Sequence, residues 1–234
     1  MLGGPFGAVA YLYVRKLGTT AHMDHHESQH DDDSPLHEAL TRNLRETVLA
    51  VVFASGYGIV FYIPLVYLPT YASQVGVVGN DVALQVNALG IALAMPMIPL
   101  SGWISDHLLR RRTLLLLAFL AMAAGGWGLV ALAGRDLLDL GISQVLLALL
   151  IAIPLGAAPA LLVELFPVVD RLTSYSLAYN LGLGVAGGTA PMIATWLISA
   201  TGYDTAPGAY LAGAALVSAF ALFLMQDRSR EPLR

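Results

Sequence analysis

The sequence contains no cysteine, so it offers no disulfide framework, no thiolate metal site and no catalytic thiol. Charge is scarce as well. Only 12% of the 234 residues are Asp, Glu, Lys or Arg, while 57% are hydrophobic; an ordinary soluble domain carries about 25% charged residues. Eleven of the charges crowd into residues 15–46, and the rest are separated by six charge-free intervals, 47–80, 82–105, 113–134, 140–163, 172–203 and 205–226. Each interval has at least 22 residues, and about 20 apolar residues of helix cross a bilayer core about 30 Å thick. These scarcities exclude a water-soluble enzyme, a disordered chain and a nucleic-acid-binding domain for the bulk of the sequence. The runs do not alternate apolar with polar residues, which disfavours a β-barrel. The expected fold class is an all-α membrane protein, a bundle of six transmembrane helices.

The spans also lack ionisable side chains. No Asp, Glu, Lys, Arg or His stands near the middle of any interval, where such groups usually act as proton or ion relays. No HExxH motif, acidic dyad or Ser/His pairing is present in them, so an intramembrane enzyme has little support. Gly182 to Gly187 fits G-x-G-x-x-G, but no strand precedes it and no acidic ribose ligand follows, so no cofactor is expected. The polar residues available to line a cavity are neutral: Ser55, Tyr57 and Tyr62, then Gln85 and Asn87, then Tyr175, Tyr179, Asn180 and Thr189. Each can instead hydrogen-bond a neighbouring helix.

What charge there is gives an orientation. With spans at about 47–70, 82–105, 113–133, 141–163, 174–199 and 206–225, eleven basic residues fall on one side and Arg135 alone on the other. The positive-inside rule then makes residues 15–46, the loops near 106–112 and 164–173, and the C-terminus cytoplasmic. Tyr71, Trp103, Tyr203 and Tyr210 lie near span ends, where amphipathic rings favour the membrane interface. Residues 1–14 are apolar but make a helix of only about 21 Å, short of a crossing. Arg15 and Lys16 follow this stretch rather than precede it, unlike a secretory signal, and it reads as the cytoplasmic end of a further membrane helix. Between Leu17 and Glu46 lies a cluster of His22, Asp24, His25, His26, Glu27, His30, Asp31, Asp32, Asp33 and His37. Such groups can bind a divalent metal or sense pH; the plainer reading is a solvated linker, because the spacing matches no coordination motif. Ser34 to Glu38 can begin a surface helix leading into the first span.

Prolines and glycines mark expected kinks or breaks: Gly56, Gly58 and Pro64, then Pro96 and Pro99, then Pro154 and Pro159, then Gly187, Gly188 and Pro191. Gly184 with Gly188, and Ala121 with Gly125, have the small-xxx-small spacing of close helix packing. The loop from Gly102 to Arg112 reads GWISDHLLRRR and confines Asp106 and three arginines at the membrane surface. Asp106 can act on a helix N-terminus, and the arginines can pair with an acid on an adjacent loop, of which Glu164 is the best placed. Such a charge latch would hold one face closed until transport breaks it.

This loop resembles the signature G-x-x-[SA]-D-[RK]-x-G-R-[RK] of the major facilitator superfamily at Gly102, Ser105, Asp106, Arg110 and Arg111, with His107 and Leu109 replacing the basic residue and the second glycine. Glu164-Leu-Phe166-Pro167 followed by Arg171, then Ser176-Leu-Ala-Tyr179-Asn180 and Gly187-Gly188-Thr189-Ala-Pro191, is similar to the tenth and eleventh helices of its metabolite:proton symporter family, which includes proline/betaine, α-ketoglutarate, shikimate and citrate carriers. Asp170 stands where that family has an apolar residue. The resemblance covers the C-terminal half of a 12-helix plan: residues 1–14 as the end of a sixth helix, 15–46 as a central cytoplasmic loop, 47–226 as a six-helix bundle of two inverted three-helix repeats, and 227–234 as a cytoplasmic tail. It implies an inner or plasma membrane transporter, not an enzyme, moving a small polar solute with protons by alternating access. The implied gate is Gly102, Asp106, Arg110, Arg111, Glu164 and Arg171, and the implied cavity is Tyr57, Tyr62, Asn87, Tyr179, Asn180 and Thr189. The partners are then the solute, protons, the bilayer, and a further N-terminal six-helix half or a second copy; no nucleic acid is expected. A half-transporter or structural membrane module without its own transport is the alternative, and a histidine-rich metal transporter or sensor a further one.

Overall fold

A computed structural model of the protein describes residues 44–167 and 171–226. The sequence readings on residues 1–14, on the histidine-rich segment, on Asp170 and on the tail 227–234 lie outside these residues. The described residues form six helices long and apolar enough to cross a membrane: α1, Leu44–Gln74; α2, Asn80–His107; α3, Arg111–Ala133; α4, Leu137–Leu165; α5, Arg171–Thr201; and α6, Ala206–Leu224. All but α6 begin one to three residues before the charge-free stretches that predict them, and α2 and α4 also end two residues beyond. Charges bound the apolar segment, but a helix ends where its backbone is capped. The Asp136 carboxylate accepts the Asp139 N–H at 2.8 Å to start α4. Gly202, at φ +71°, ends α5 in the left-handed conformation and donates to the Ile198 carbonyl at 2.8 Å.

Not every expected break occurs. In α1, Pro64 sits in a π-helical turn over Ile63–Tyr67, and α2 is interrupted at Met95 and Pro96. By contrast α4 remains α-helical through Pro154 and Pro159. It is gripped along its length by α2 on one side and α3 on the other, and that packing holds the axis against the loss of two backbone donors. In α5 the irregular stretch is a π-helical segment, Asn180–Gly187, which ends before Pro191.

The packing has a two-fold logic. Helix α1 carries α5 and α6 against it, α4 carries α2 and α3, and the bundle closes through α3 against α6. Exchanging α1 with α4, α2 with α5 and α3 with α6 leaves this pattern unchanged. Three spans per unit put the second unit upside down relative to the first, so the six helices form two inverted repeats. Hydrophobicity does not drive apolar helices together within lipid, so close approach does that work. A methyl group on Gly58 of α1 would come within 2.9 Å of Leu183 Cα and 3.0 Å of Gly187 Cα in α5. In the image of that seam, a methyl on Gly156 of α4 would collide with Ser101 and the Ile98 carbonyl of α2.

The glycine pair that packs is not the one the spacing picks out. Gly184, Gly188 and Gly125 face open space. The seam uses Gly182 and Gly187, five residues apart, because the wider π-helical turn brings i and i+5 to one face. Tyr71, expected at the interface, is instead buried with its hydroxyl against Gly134. Trp103 and Tyr203 are exposed.

Candidate functional site

At one end of the bundle, α2 ends at His107 and α3 begins at Arg111, with Arg110 extended at the N-cap and its carbonyl accepting the Leu114 N–H at 3.0 Å. This tight turn brings Arg111 between two acids. Its Nη2 donates to Asp106 Oδ1 at 2.5 Å, and its Nη1 donates to Glu164 Oε1 at the end of α4. The Arg111 and Glu164 side chains are 17% and 18% exposed, Asp106 49%. A mostly desolvated guanidinium pair is stronger than a surface pair, and removing one partner leaves a charge with poor solvation. The bridge ties α2 and α3 of the first repeat to α4 of the second.

The remaining gate candidates divide. Arg171 Nε donates to the Phe166 carbonyl at 3.2 Å, holding the start of α5 to the end of α4. Arg110 is exposed at the helix start. Gly102 has room for a methyl group, its nearest neighbour being the Gly156 carbonyl at 3.5 Å; the close approach here belongs to Gly156, which the loop signature does not contain.

Two further arginines meet α6 at the same end. Arg112 Nη2 donates to the Phe223 carbonyl at 2.5 Å and its guanidinium lies 5.8 Å from the Phe223 ring centre. Arg45 Nη2 donates to the Leu224 carbonyl at 3.1 Å. The last carbonyls of a helix have no partner within it, and cations are favoured there. Thus α1 and α3 cap α6 from outside. The basic cluster is the sequence signal, but which arginine meets which acceptor depends on long-range packing.

Of the cavity candidates, Tyr57, Tyr62 and Tyr179 gather along the α1–α5 seam. Tyr57 is buried, with its ring 6.0 Å from Phe53, and lies within electrostatic range of Tyr175 and Tyr179. Those two stack one turn apart on α5 at 5.4 Å. Tyr62 packs against Gly187 and edge-on to Phe61. Together these make a tyrosine-rich wall. On α5, Asn180 Nδ2 donates to the Ser176 carbonyl at 2.8 Å and Thr189 Oγ1 to the Val185 carbonyl at 2.8 Å, both on exposed parts of the helix. Asn87 stands elsewhere. It bonds α1 and Gln144 rather than facing this wall: Nδ2 donates to the Leu65 carbonyl at 3.0 Å, and Oδ1 accepts Gln144 Nε2 at 2.7 Å. Gln144 is absent from the sequence-derived candidates, although it is the lone side-chain amide in the interval 140–163.

Six membrane-capable helices in two inverted repeats, with an arginine bridging acids at one end, define a polytopic membrane protein. The sequence profile of the Major Facilitator Superfamily matches residues 1–152, and the chain belongs to that superfamily. Among curated relatives, the citrate-proton symporter of Klebsiella pneumoniae is 31% identical over 175 residues, 74% of this chain and 39% of the relative. The inner membrane metabolite transport protein YhjE of Escherichia coli K12 is 31% identical over 205 residues, 85% of this chain and 46% of the relative. The ectoine/proline transporter ProP of Corynebacterium glutamicum is 29% identical over 196 residues, 80% of this chain and 36% of the relative. The chain therefore spans less than half the length of these relatives. All three are named as transporters and none as an enzyme.

Proposed function

We propose that the chain is one rocking bundle of a proton-coupled secondary transporter that moves a small polar solute, an organic acid, a betaine or an amino-acid-like molecule, across the inner (plasma) membrane by alternating access. The observation that carries this reading is the Arg111 bridge. It joins the two inverted repeats at the end of the bundle where α2 turns into α3, the arrangement expected of a gate that holds one face shut while the other opens. The relatives' printed names, a citrate-proton symporter and an ectoine/proline transporter among them, support the solute class and the proton.

In this reading the latch is Asp106, Arg111 and Glu164, with Arg171 steadying the α4–α5 connection and Arg110 and Gly102 shaping the turn. The cavity wall is Tyr57, Tyr62 and Tyr179, with Asn180 and Thr189 further along α5. Asn87 supports α1 instead of touching solute. The bundle is formed by residues 44–167 and 171–226, and its end carrying Asp106, Arg111 and Glu164 faces the cytoplasm. The spans carry no central ionisable group, so the coupling proton travels on groups outside them.

A second reading has an observation of its own. Helices α2 and α5 are the least buried of the six, and between them they expose Leu89, Leu93, Leu181, Val185 and Met192. A bundle with two such faces works against a second six-helix bundle, whether another polypeptide segment or a second copy, and lacks transport alone. Uptake of labelled citrate, proline and betaine into cells lacking their own carriers distinguishes the two. Uptake by this chain alone supports the first reading, and uptake only when a second bundle is co-expressed supports the second. No uptake in either case overturns the transport proposal.

A further inference from the structure

The break in α1 leaves two carbonyls without their usual helical partners. In an α-helix the carbonyl of residue i accepts the N–H of residue i+4. For Leu65 that residue is Pro69, which has no N–H. For Pro64 it is Leu68, whose N–H is diverted by the π-helical turn to the Ile63 carbonyl. Carbonyls left over in a bilayer-spanning helix must find another donor.

Both are met by side-chain amides from other helices. Asn87 Nδ2 of α2 donates to Leu65 O at 3.0 Å, and Gln144 Nε2 of α4 donates to Pro64 O at 3.2 Å and to Asn87 Oδ1 at 2.7 Å. Gln144 is 1% exposed. Room for it is built into α2: a methyl group on Gly90, three residues after Asn87, would come within 2.8 Å of Gln144 Cγ. The two amides are a closed unit in which each has a matched partner, and the unit joins α1 and α2 of the first repeat to α4 of the second.

We propose that Asn87 and Gln144 form an amide clamp that fixes the angle of α1 at its π-helical turn, and that release of this clamp lets the Leu68–Gln74 segment move relative to α4. The segment beyond the turn begins Leu68-Pro69, and Pro69 has no N–H to return to the turn. Leu68, Tyr71 and Ala72 bury the segment against the bundle, and the amides, bonded to the Pro64 and Leu65 carbonyls, fix the angle at which it leaves the turn. Asn87 and Gln144 are positioning residues. Their part in alternating access rests on the transporter reading, but the clamp itself does not, and its test measures geometry instead of uptake.

The absence of native cysteine makes that test clean. In the full chain, Gln74→Cys with Leu138→Cys places spin labels on the outer segment of α1 and the start of α4. Val48→Cys with Leu172→Cys places a control pair at the latch end. Pulsed electron paramagnetic resonance in nanodiscs is expected to give one narrow Gln74–Leu138 distance in the parent. Gln144→Leu, and separately Asn87→Leu, should at least double the width of that distribution or add a second distance, while the Val48–Leu172 distance stays fixed. The double substitution should do no more than either single one, because the amides act as a unit. Gln144→Met, which keeps the length but has no donor, should broaden it too and stands in if a leucine variant fails to fold. A narrow, parental distance in folded Gln144→Leu or Gln144→Met, with only the unfolding temperature lowered, assigns the amides a merely structural role and overturns the proposal. Flat uptake by the parent chain, both alone and with a second bundle, together with a broadened distance in the variants would overturn the transport reading and leave the clamp standing.

Discussion

Arg111 is the residue on which the latch converges. Replacing it with alanine leaves Glu164, only 18% exposed, without its guanidinium. The cost should be on the order of 1–3 kcal/mol, between the values for exposed and fully buried pairs. A lowered unfolding temperature in detergent would show it, and Arg111→Lys should restore part of the loss, since an ammonium can meet one carboxylate but cannot fork to two. If the bridge gates transport, Arg111→Ala should also cut uptake far more than protein abundance; equal falls in both would make it a structural tie only. The acids and the arginine are legible in the sequence because their types and the tight turn restrict what they can meet. Gln144 is harder to read from sequence, since a single amide in an apolar run says nothing of its acceptor until the α1 break is known. Nor does sequence tell the side chains of Arg111 and Arg112 apart: their different partners follow from the 100° rotation between successive helical residues.

At the scale of the helix, spacing of small residues misleads wherever the helix is not α. The Gly184–Gly188 spacing assumes four residues per face repeat, and the π-helical segment of α5 changes the repeat. Gly182→Ala is therefore expected to cost about 1–3 kcal/mol by overpacking, because the added methyl would lie 2.6 Å from the Ala54 carbonyl carbon, where backbone cannot yield. Gly184→Ala and Gly188→Ala should be neutral. Parallel thermal unfolding of the three variants checks this, and equal effects would place the seam on the wrong face. The end of α6 offers a second test. Arg45→Ala and Arg112→Ala should each loosen its last turn by roughly 0.5–1 kcal/mol, seen as faster amide exchange confined to residues 221–225. Proline, similarly, marks a break in α1 and α2, whereas Pro154 and Pro159, which also predict one, leave α4 α-helical, because what a proline does to a helix axis depends on the neighbours that hold it.

For the whole molecule, length and charge spacing suffice to give six spans and their order, since a bilayer admits few alternatives. The pairing of helices is legible only through family resemblance, as apolar faces look alike in sequence. Orientation follows from the uneven arginines and can be checked directly. A membrane-impermeant maleimide applied to intact cells should modify Arg135→Cys and spare His107→Cys; the reverse pattern would invert the topology.

The exchange of α1 with α4 and α2 with α5 means that every seam in one repeat has an image in the other. Gly58 against α5 and Gly156 against α2 are such a pair. The same glycine-to-alanine change can thus be made twice in one polypeptide, once on a seam beside the tyrosine wall and once on the seam where Ser101 of α2 meets α4, so that whatever differs between the two variants reports what sets the repeats apart and not the general penalty of crowding a helix contact. A duplicated architecture carries its own control experiment.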